Sequence, residues 1–138
     1  EYLFYKAITI LDNKIQNIIS KVTDDTFTFD YVKNSENMYD IKIINEKHTL
    51  GNLIQALFYN IFIREDNKSV IEYVGYNCPH PLENSMIIKI KFTNNETNEN
   101  IKKIFIDGLE DIQEKLNKLK KSWLKFSGLS SKYANDIN

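Results

Sequence analysis

The sequence predicts an α+β domain in which a four-stranded antiparallel sheet packs on two amphipathic helices, with an extra N-terminal helix in front. Three observations carry this. Residues 50–62 and 101–126 repeat apolar side chains at spacings of three and four, which gathers them on one side of a helix. Four shorter stretches have the alternation or the β-branched and aromatic content of strands. Polar or proline-bearing segments separate them.

Residues 1–22 form the first element. Phe4, Ala7, Ile8, Leu11, Ile15, Ile18, Ile19 and Val22 make one apolar stripe, and Lys6, Asp12, Asn13, Lys14, Gln16 and Asn17 fall mostly on the other side. Such a helix either faces the core or serves as an interaction arm. Thr23-Asp24-Asp25 breaks the pattern. From Thr26 to Val32, Phe27, Phe29 and Tyr31 alternate with polar residues as in a half-buried strand. The polar turn Lys33–Asn37 leads to a second strand, Met38–Asn45, with Tyr39, Ile41 and Ile43 on one face. Two strands with so short a link predict an antiparallel hairpin.

Thr49 is the expected N-cap of the next helix, its hydroxyl accepting a free amide hydrogen of the first turn. Leu50, Leu53, Ile54, Leu57, Phe58, Ile61 and Phe62 form its stripe, and Arg64–Lys68 ends it in a solvated loop. Val70–Tyr76 reads as a third strand. Pro79 and Pro81 lack the N–H that a central ladder needs, so Cys78–Pro81 is a loop. Met86–Phe92 is a fourth strand, with Met86, Ile88, Ile90 and Phe92 opposite Lys89 and Lys91. After a polar loop, Ile101, Ile104, Phe105, Leu109, Ile112, Leu116, Leu119, Trp123 and Phe126 mark the longest helix, and beyond Gly108 their spacing approaches a heptad. Gly108 either permits a close crossing or lies before the helix starts. Gly128 is a candidate C-cap, and residues 127–138 are expected to form a weakly ordered tail.

Composition narrows the function classes. A chain of 138 residues with 42% hydrophobic and 12% aromatic content suits one globular domain, or one domain plus an arm. A formal net charge of −1 gives no global field to draw it onto nucleic acid or an anionic membrane. Its apolar runs are too short to span a bilayer, and no secretion leader is recognised. The single cysteine, Cys78, excludes an internal disulfide and suits a reducing, intracellular compartment. The chain begins at Glu1 rather than Met, which suggests a processed chain or part of a longer polypeptide.

No catalytic constellation is expected. His48, His80 and Cys78 are too few for a zinc site, and nothing in the sequence activates Cys78 as a nucleophile. No glycine-rich phosphate loop occurs. Lys115, Lys118, Lys120, Lys121 and Lys125 follow Glu110, Asp111 and Glu114 on the last helix. This order suits the helix dipole and reads as a solvated face rather than a nucleic-acid stripe. No metal or cofactor is expected.

Two short motifs remain. His48-Thr49-Leu50-Gly51-Asn52 opens the second helix, and Gly75-Tyr76 with Pro79-His80-Pro81-Leu82-Glu83 leads into the fourth strand. In this order and spacing they resemble the HTLGN and GYxxPHPLE signatures of the smaller α-like subunit of multisubunit DNA-directed RNA polymerases, the family of archaeal subunit L and its eukaryotic counterparts. The resemblance covers roughly residues 26–126. It implies an α-subunit dimerisation-domain-like fold and a non-catalytic scaffold. That scaffold would pair with a larger α-like subunit and form a platform for the two large catalytic subunits, meeting nucleic acid only through the complex and no membrane. The dimer face would comprise Leu53, Leu57, Phe58, Ile61, Ile112, Leu116, Leu119 and Trp123, while the signature residues would shape contacts to other subunits. The helix at 1–22 departs from the family pattern and resembles the final helix of the larger subunit. Some large DNA viruses, such as the African swine fever virus group, fuse the two α-like subunits into one chain. The expected setting is thus the nucleus for a cellular protein, or the host cytoplasm or virion for a viral one, with the partner in trans or in cis. A homodimeric module that kept the fold and left transcription is the alternative.

Overall fold

The computed structural model describes residues 2–24, 30–64 and 70–127. The elements are α1 (Tyr2–Thr23), β1 (Asp30–Ser35), β2 (Met38–Ile44), α2 (His48–Phe58) with a π-helical continuation (Tyr59–Arg64), β3 (Ile71–Asn77), β4 (Ser85–Phe92) and α3 (Asn98–Ser127). The expected strand start at 26–29, the loop at 65–68, the Gly128 cap and the tail at 128–138 lie outside the described residues.

All strand pairs are antiparallel, in the order β1-β2-β4-β3. The register follows the alternation in the sequence. Ile41 pairs with Ile88, Ile43 with Met86, and Val74 with Ile90, so the apolar side chains of three strands share one face. Tyr39 meets Phe92 edge-on at 5.9 Å between ring centroids. The opposite face is charged, and Asp40 and Lys89, directly paired in the register, approach to 3.4 Å. All three helices bury their apolar sides in the core that this single sheet face begins.

Several boundaries differ from expectation for local reasons. β1 runs on to Ser35, through a bulge between Lys33 and Ser35, and pairs Ser35 with Met38. Only Glu36 and Asn37 remain as the turn, and Asn37 supplies the positive φ (61°) such a tight turn requires. Its carbonyl also accepts the Phe92 N–H at 2.8 Å. Thr49 is not the cap of α2. The helix already starts at His48, the cap position falls on Lys47 with no side-chain cap bond, and Thr49 sits exposed in the first turn. α3 starts earlier than its apolar stripe. Thr97 caps it, its Oγ1 accepting the Asn100 N–H at 3.2 Å while its carbonyl accepts the Ile101 N–H at 3.0 Å.

Gly108 is therefore inside α3, and it stands where α3 crosses α2. A Cβ there would lie 2.6 Å from Cζ of Phe58 and 2.8 Å from Cε2 of Phe62. Phe58 is fully buried and stacks edge-on against Phe62 at 5.3 Å and Phe105 at 5.6 Å, so its ring has little room to retreat. Overpacking of this kind costs about 1–3 kcal/mol, more than the ~1 kcal/mol that alanine gains in helix propensity. Gly108→Ala is thus expected to lower unfolding stability in urea by about 1 kcal/mol. Gly75→Ala, which meets only the movable hydroxyl end of Tyr73, is expected to stay within about 0.5 kcal/mol of wild type.

Candidate assembly surface

The two signature motifs are separated by a helix and a strand in the chain and adjoin in space. His48 opens α2 and places Nδ1 3.1 Å from the Tyr76 hydroxyl, with the two rings edge-on at 5.7 Å. The Cys78 sulfur lies 4.0 Å from the same nitrogen. Leu50 points into the core. Gly51 is buried under the Tyr76 ring, and a Cβ at this position would sit 2.6 Å from Tyr76 Cδ2. Asn52 is exposed, so of the two residues only Gly51 lies in the close approach between α2 and Tyr76. Lys47 reaches across from the cap position, its Nζ donating to the Pro81 carbonyl at 3.1 Å.

These contacts brace the loop between β3 and β4. Inside it, the Glu83 N–H donates to the His80 carbonyl and the Ser85 N–H to the Glu83 carbonyl, each at 3.0 Å. Asn45, at a positive φ of 67°, donates its N–H to the Asn84 carbonyl at 2.6 Å. Lys42 Nζ pairs with Glu83 at 2.8 Å. That hydrogen bond, aided by the charges of Lys42 and His80, holds the Glu83 carboxyl below its ordinary value of 4.5. The braced loop presents Pro79, His80, Pro81 and a fully exposed Leu82 to solvent. Among the described residues, no three His, Cys, Asp or Glu side chains gather to hold a metal ion, and no helix is long and apolar enough to cross a membrane.

The helices present a different picture from a bare pairing stripe. α1 runs antiparallel along α3. Phe4 and Tyr5 meet Trp123 at ring-centroid distances of 5.6 and 6.4 Å, and Gln113 Nε2 donates to Gln16 Oε1 at 2.9 Å. Tyr5, Ile8, Ile15, Ile18 and Val22 of α1 are buried. An ion pair between Lys14 and Glu46 at 3.0 Å ties α1 to the turn before α2. Phe58, Ile112 and Leu116, expected on an open dimer face, are buried inside the chain because Phe58 fills the α2–α3 crossing and α1 adds a third wall to the core. Leu53, Leu57 and Ile61 are half-buried, Leu119 is 48% exposed and Trp123 is partly covered by α1. The lysine cluster also divides. Lys115 and Lys118 pair with Asp111 and Glu114 one turn back at 3.1 and 3.2 Å, and Lys121 and Lys125 face solvent. Lys120 does not belong to the solvated face, since it is buried with its Nζ 4.9 Å from the Tyr5 ring centroid.

A family model described as the RNA polymerase Rpb3/Rpb11 dimerisation domain matches residues 38–122, well over half of the chain. The chain belongs to this family. The matched residues take in β2, α2, β3, β4 and most of α3, and include neither α1 nor β1. Among curated relatives, the DNA-directed RNA polymerase II subunit rpb11 of Dictyostelium discoideum is 43% identical over 56 residues, covering 41% of this chain and 40% of its own. A probable DNA-directed RNA polymerase II subunit RPB11 of Caenorhabditis elegans is 38% identical over 55 residues, 40% of this chain and 39% of its own. The DNA-directed RNA polymerase subunit Rpo11 of Sulfolobus acidocaldarius is 30% identical over 59 residues, 43% of this chain and 58% of its own. The chain therefore spans roughly two-fifths to three-fifths of the curated relatives it matches.

The Lys42–Glu83 pair gives the loop a pH signature. Because the folded value of Glu83 is lowered, its contribution is present above the ordinary value of 4.5 and is lost as pH falls through the lower folded value. In an NMR titration, the Glu83 midpoint is expected below 4.5 in the wild type and higher in Lys42→Met. An unchanged midpoint in the variant would show that Lys42 does not hold the carboxylate.

Proposed function

We propose that this chain is a non-catalytic assembly subunit of a DNA-directed RNA polymerase, pairing with a larger α-like subunit so that the pair supports the two large catalytic subunits. The observation that carries this reading is the way both signatures fold into one braced surface within a domain of the Rpb3/Rpb11 family. Relatives in eukaryotes and archaea carry polymerase-subunit names, which supports the same role. The work would be done inside the cell, wherever that polymerase acts.

The partner face proposed here is narrower than the apolar stripes alone imply. It consists of Leu53, Leu57 and Ile61 on α2 and its continuation, with Leu119 and the uncovered part of Trp123 on α3. Phe58, Ile112 and Leu116 support it from beneath. The braced loop at 79–83 is a second contact for neighbouring subunits. α1 takes in cis the position beside α3 that a partner's helix could otherwise occupy, in keeping with its likeness to the final helix of a larger α-like subunit. Nucleic acid is reached only through the complex, given the net charge of −1 and the pairing of Lys115 and Lys118 with acidic neighbours.

Coexpression of the chain with its cognate larger α-like subunit and the catalytic subunits tests the reading. The chain is expected to copurify with them. A stable monomer that never joins them, or a homodimer that excludes the larger subunit, would contradict it. Leu57→Asp is expected to weaken pairing roughly a hundredfold, since it replaces about 2–3 kcal/mol of apolar burial with a desolvated charge. Glu110→Ala, at an exposed site on the side of α3 opposite Leu119, is expected to leave pairing unchanged. Equal affinities of the two variants would move the interface elsewhere.

A further inference from the structure

The side of α3 that meets α1 contains one residue whose chemistry does not fit an apolar seam. Lys120 is only 4% exposed and lies between Leu116 and Leu124, themselves buried, one turn away on either side. Lysine ordinarily extends its stem along an apolar surface and keeps the ammonium in water. Drawing the ammonium even partly out of water is costly unless something compensates it. Here the Nζ stands 4.9 Å from the centroid of the Tyr5 ring, within the range where the negative face of an aromatic ring attracts a cation, and this attraction strengthens as water is excluded.

We infer that Lys120 makes this side of α3 selective, accepting a helix that brings an aromatic ring to the place of Tyr5 and penalising one that does not. Three contacts define the match. Tyr5 lies over Lys120, Phe4 and Tyr5 pack on Trp123, and Gln16 bonds to Gln113 one heptad before Lys120. Together they fix α1 as antiparallel and in one register. Sliding α1 by one turn would bring Ile8 or Thr9 over the ammonium, neither of which offers a ring, or in the other direction Glu1 or Tyr2, and either slide would break the Gln16–Gln113 bond. A second copy of α3 fares worse. Two α3 helices paired symmetrically through this side would bury two like charges in one seam. A single polar residue in an apolar helix interface specifies register and partner at some cost in stability, and Lys120 has the position and burial for that role.

The occupant selected in this way is α1 of the same chain. It lies outside the residues matched by the family model, as β1 does. The inference does not depend on the polymerase role. If both hold, other subunits dock on the chain without displacing α1.

Hydrogen exchange across residues 2–23, read by mass spectrometry on the full chain, tests this with four variants. Tyr5→Leu leaves Lys120 buried without a ring and is expected to speed exchange in α1 by about tenfold or more. Tyr5→Phe keeps a ring and is expected to stay close to wild type, whereas a role for the hydroxyl alone would make it behave like Tyr5→Leu. The double variant Tyr5→Leu/Lys120→Leu is expected to return to wild-type protection or better. Lys120→Leu alone is expected to retain protection, since an apolar side chain in the seam needs no ring to compensate it. Wild-type exchange in Tyr5→Leu, no recovery in the double variant, or lost protection in Lys120→Leu would overturn the inference. Should Tyr5→Leu unfold the whole chain, the double variant still decides, because recovery of folding supports the coupling and continued unfolding contradicts it.

Discussion

α3 buries more apolar side chain than the sheet can receive, and the remaining elements are arranged around that constraint. Its 30 residues extend about 45 Å, while β4, the longest strand described, has 8 residues and spans about 27 Å. The first half of α3 fits over the sheet, where Ile101, Phe105 and Leu109 join the core. At Gly108 the missing side chain lets α2 cross close enough for Phe58 to fill the junction. α1 lies along both halves, from Phe4 and Tyr5 at Trp123 to Val22 and Thr23 beside Ile106 and Asp107. The buried residues Ile8, Ile15, Ile18 and Val22 of α1 belong to the same continuous core as Ile112 and Leu116.

The signature residues follow a related logic. Among the described residues they gather no cluster of side chains that could hold a metal ion. Instead, Gly51 removes a side chain so that Tyr76 can lie against α2, His48 meets the Tyr76 hydroxyl, and Lys47 and Lys42 hold Pro81 and Glu83. The loop at 79–83 is thus fixed before any partner arrives, with Leu82 wholly exposed at its crest. A contact made by a loop already held in place loses less conformational entropy on binding. That is a physical reason for the proposed assembly role to use residue types at these positions that would otherwise suggest chemistry.

Much of this was legible in the residues themselves. The alternation in Met38–Ile44 and Met86–Phe92 gave the buried sheet face side chain by side chain, because period-two patterning depends on little beyond the pleat. The stripes of α2 and α3 were equally plain. Capping was harder to read. Thr49 has the right chemistry for a cap and Thr97 does as well, yet of the two only Thr97 caps, since α2 already starts at His48 with the Gly51 N–H on the Lys47 carbonyl. The signal for Thr97 was present as a threonine three residues before Asn100, but it preceded the apolar stripe. The π-helical continuation Tyr59–Arg64 left no periodic trace, because its six residues look like ordinary helix sequence. Lys120 misled for a different reason. On α3 alone it belongs with the solvated lysines, and only the position of α1, a contact between residues more than a hundred apart, makes it buried.

That long-range contact is the feature on which the arrangement depends, and whether it forms within one chain can be measured. Nuclear Overhauser contacts between the rings of Phe4 or Tyr5 and Trp123 should be recorded on labelled protein, then on the same protein diluted with unlabelled chains. If α1 covers α3 in cis, the contacts keep their full intensity per labelled chain on dilution. Their loss on dilution, or their appearance only between differently labelled chains, would mean that α1 pairs with another molecule and that the side of α3 it covers is an intermolecular interface.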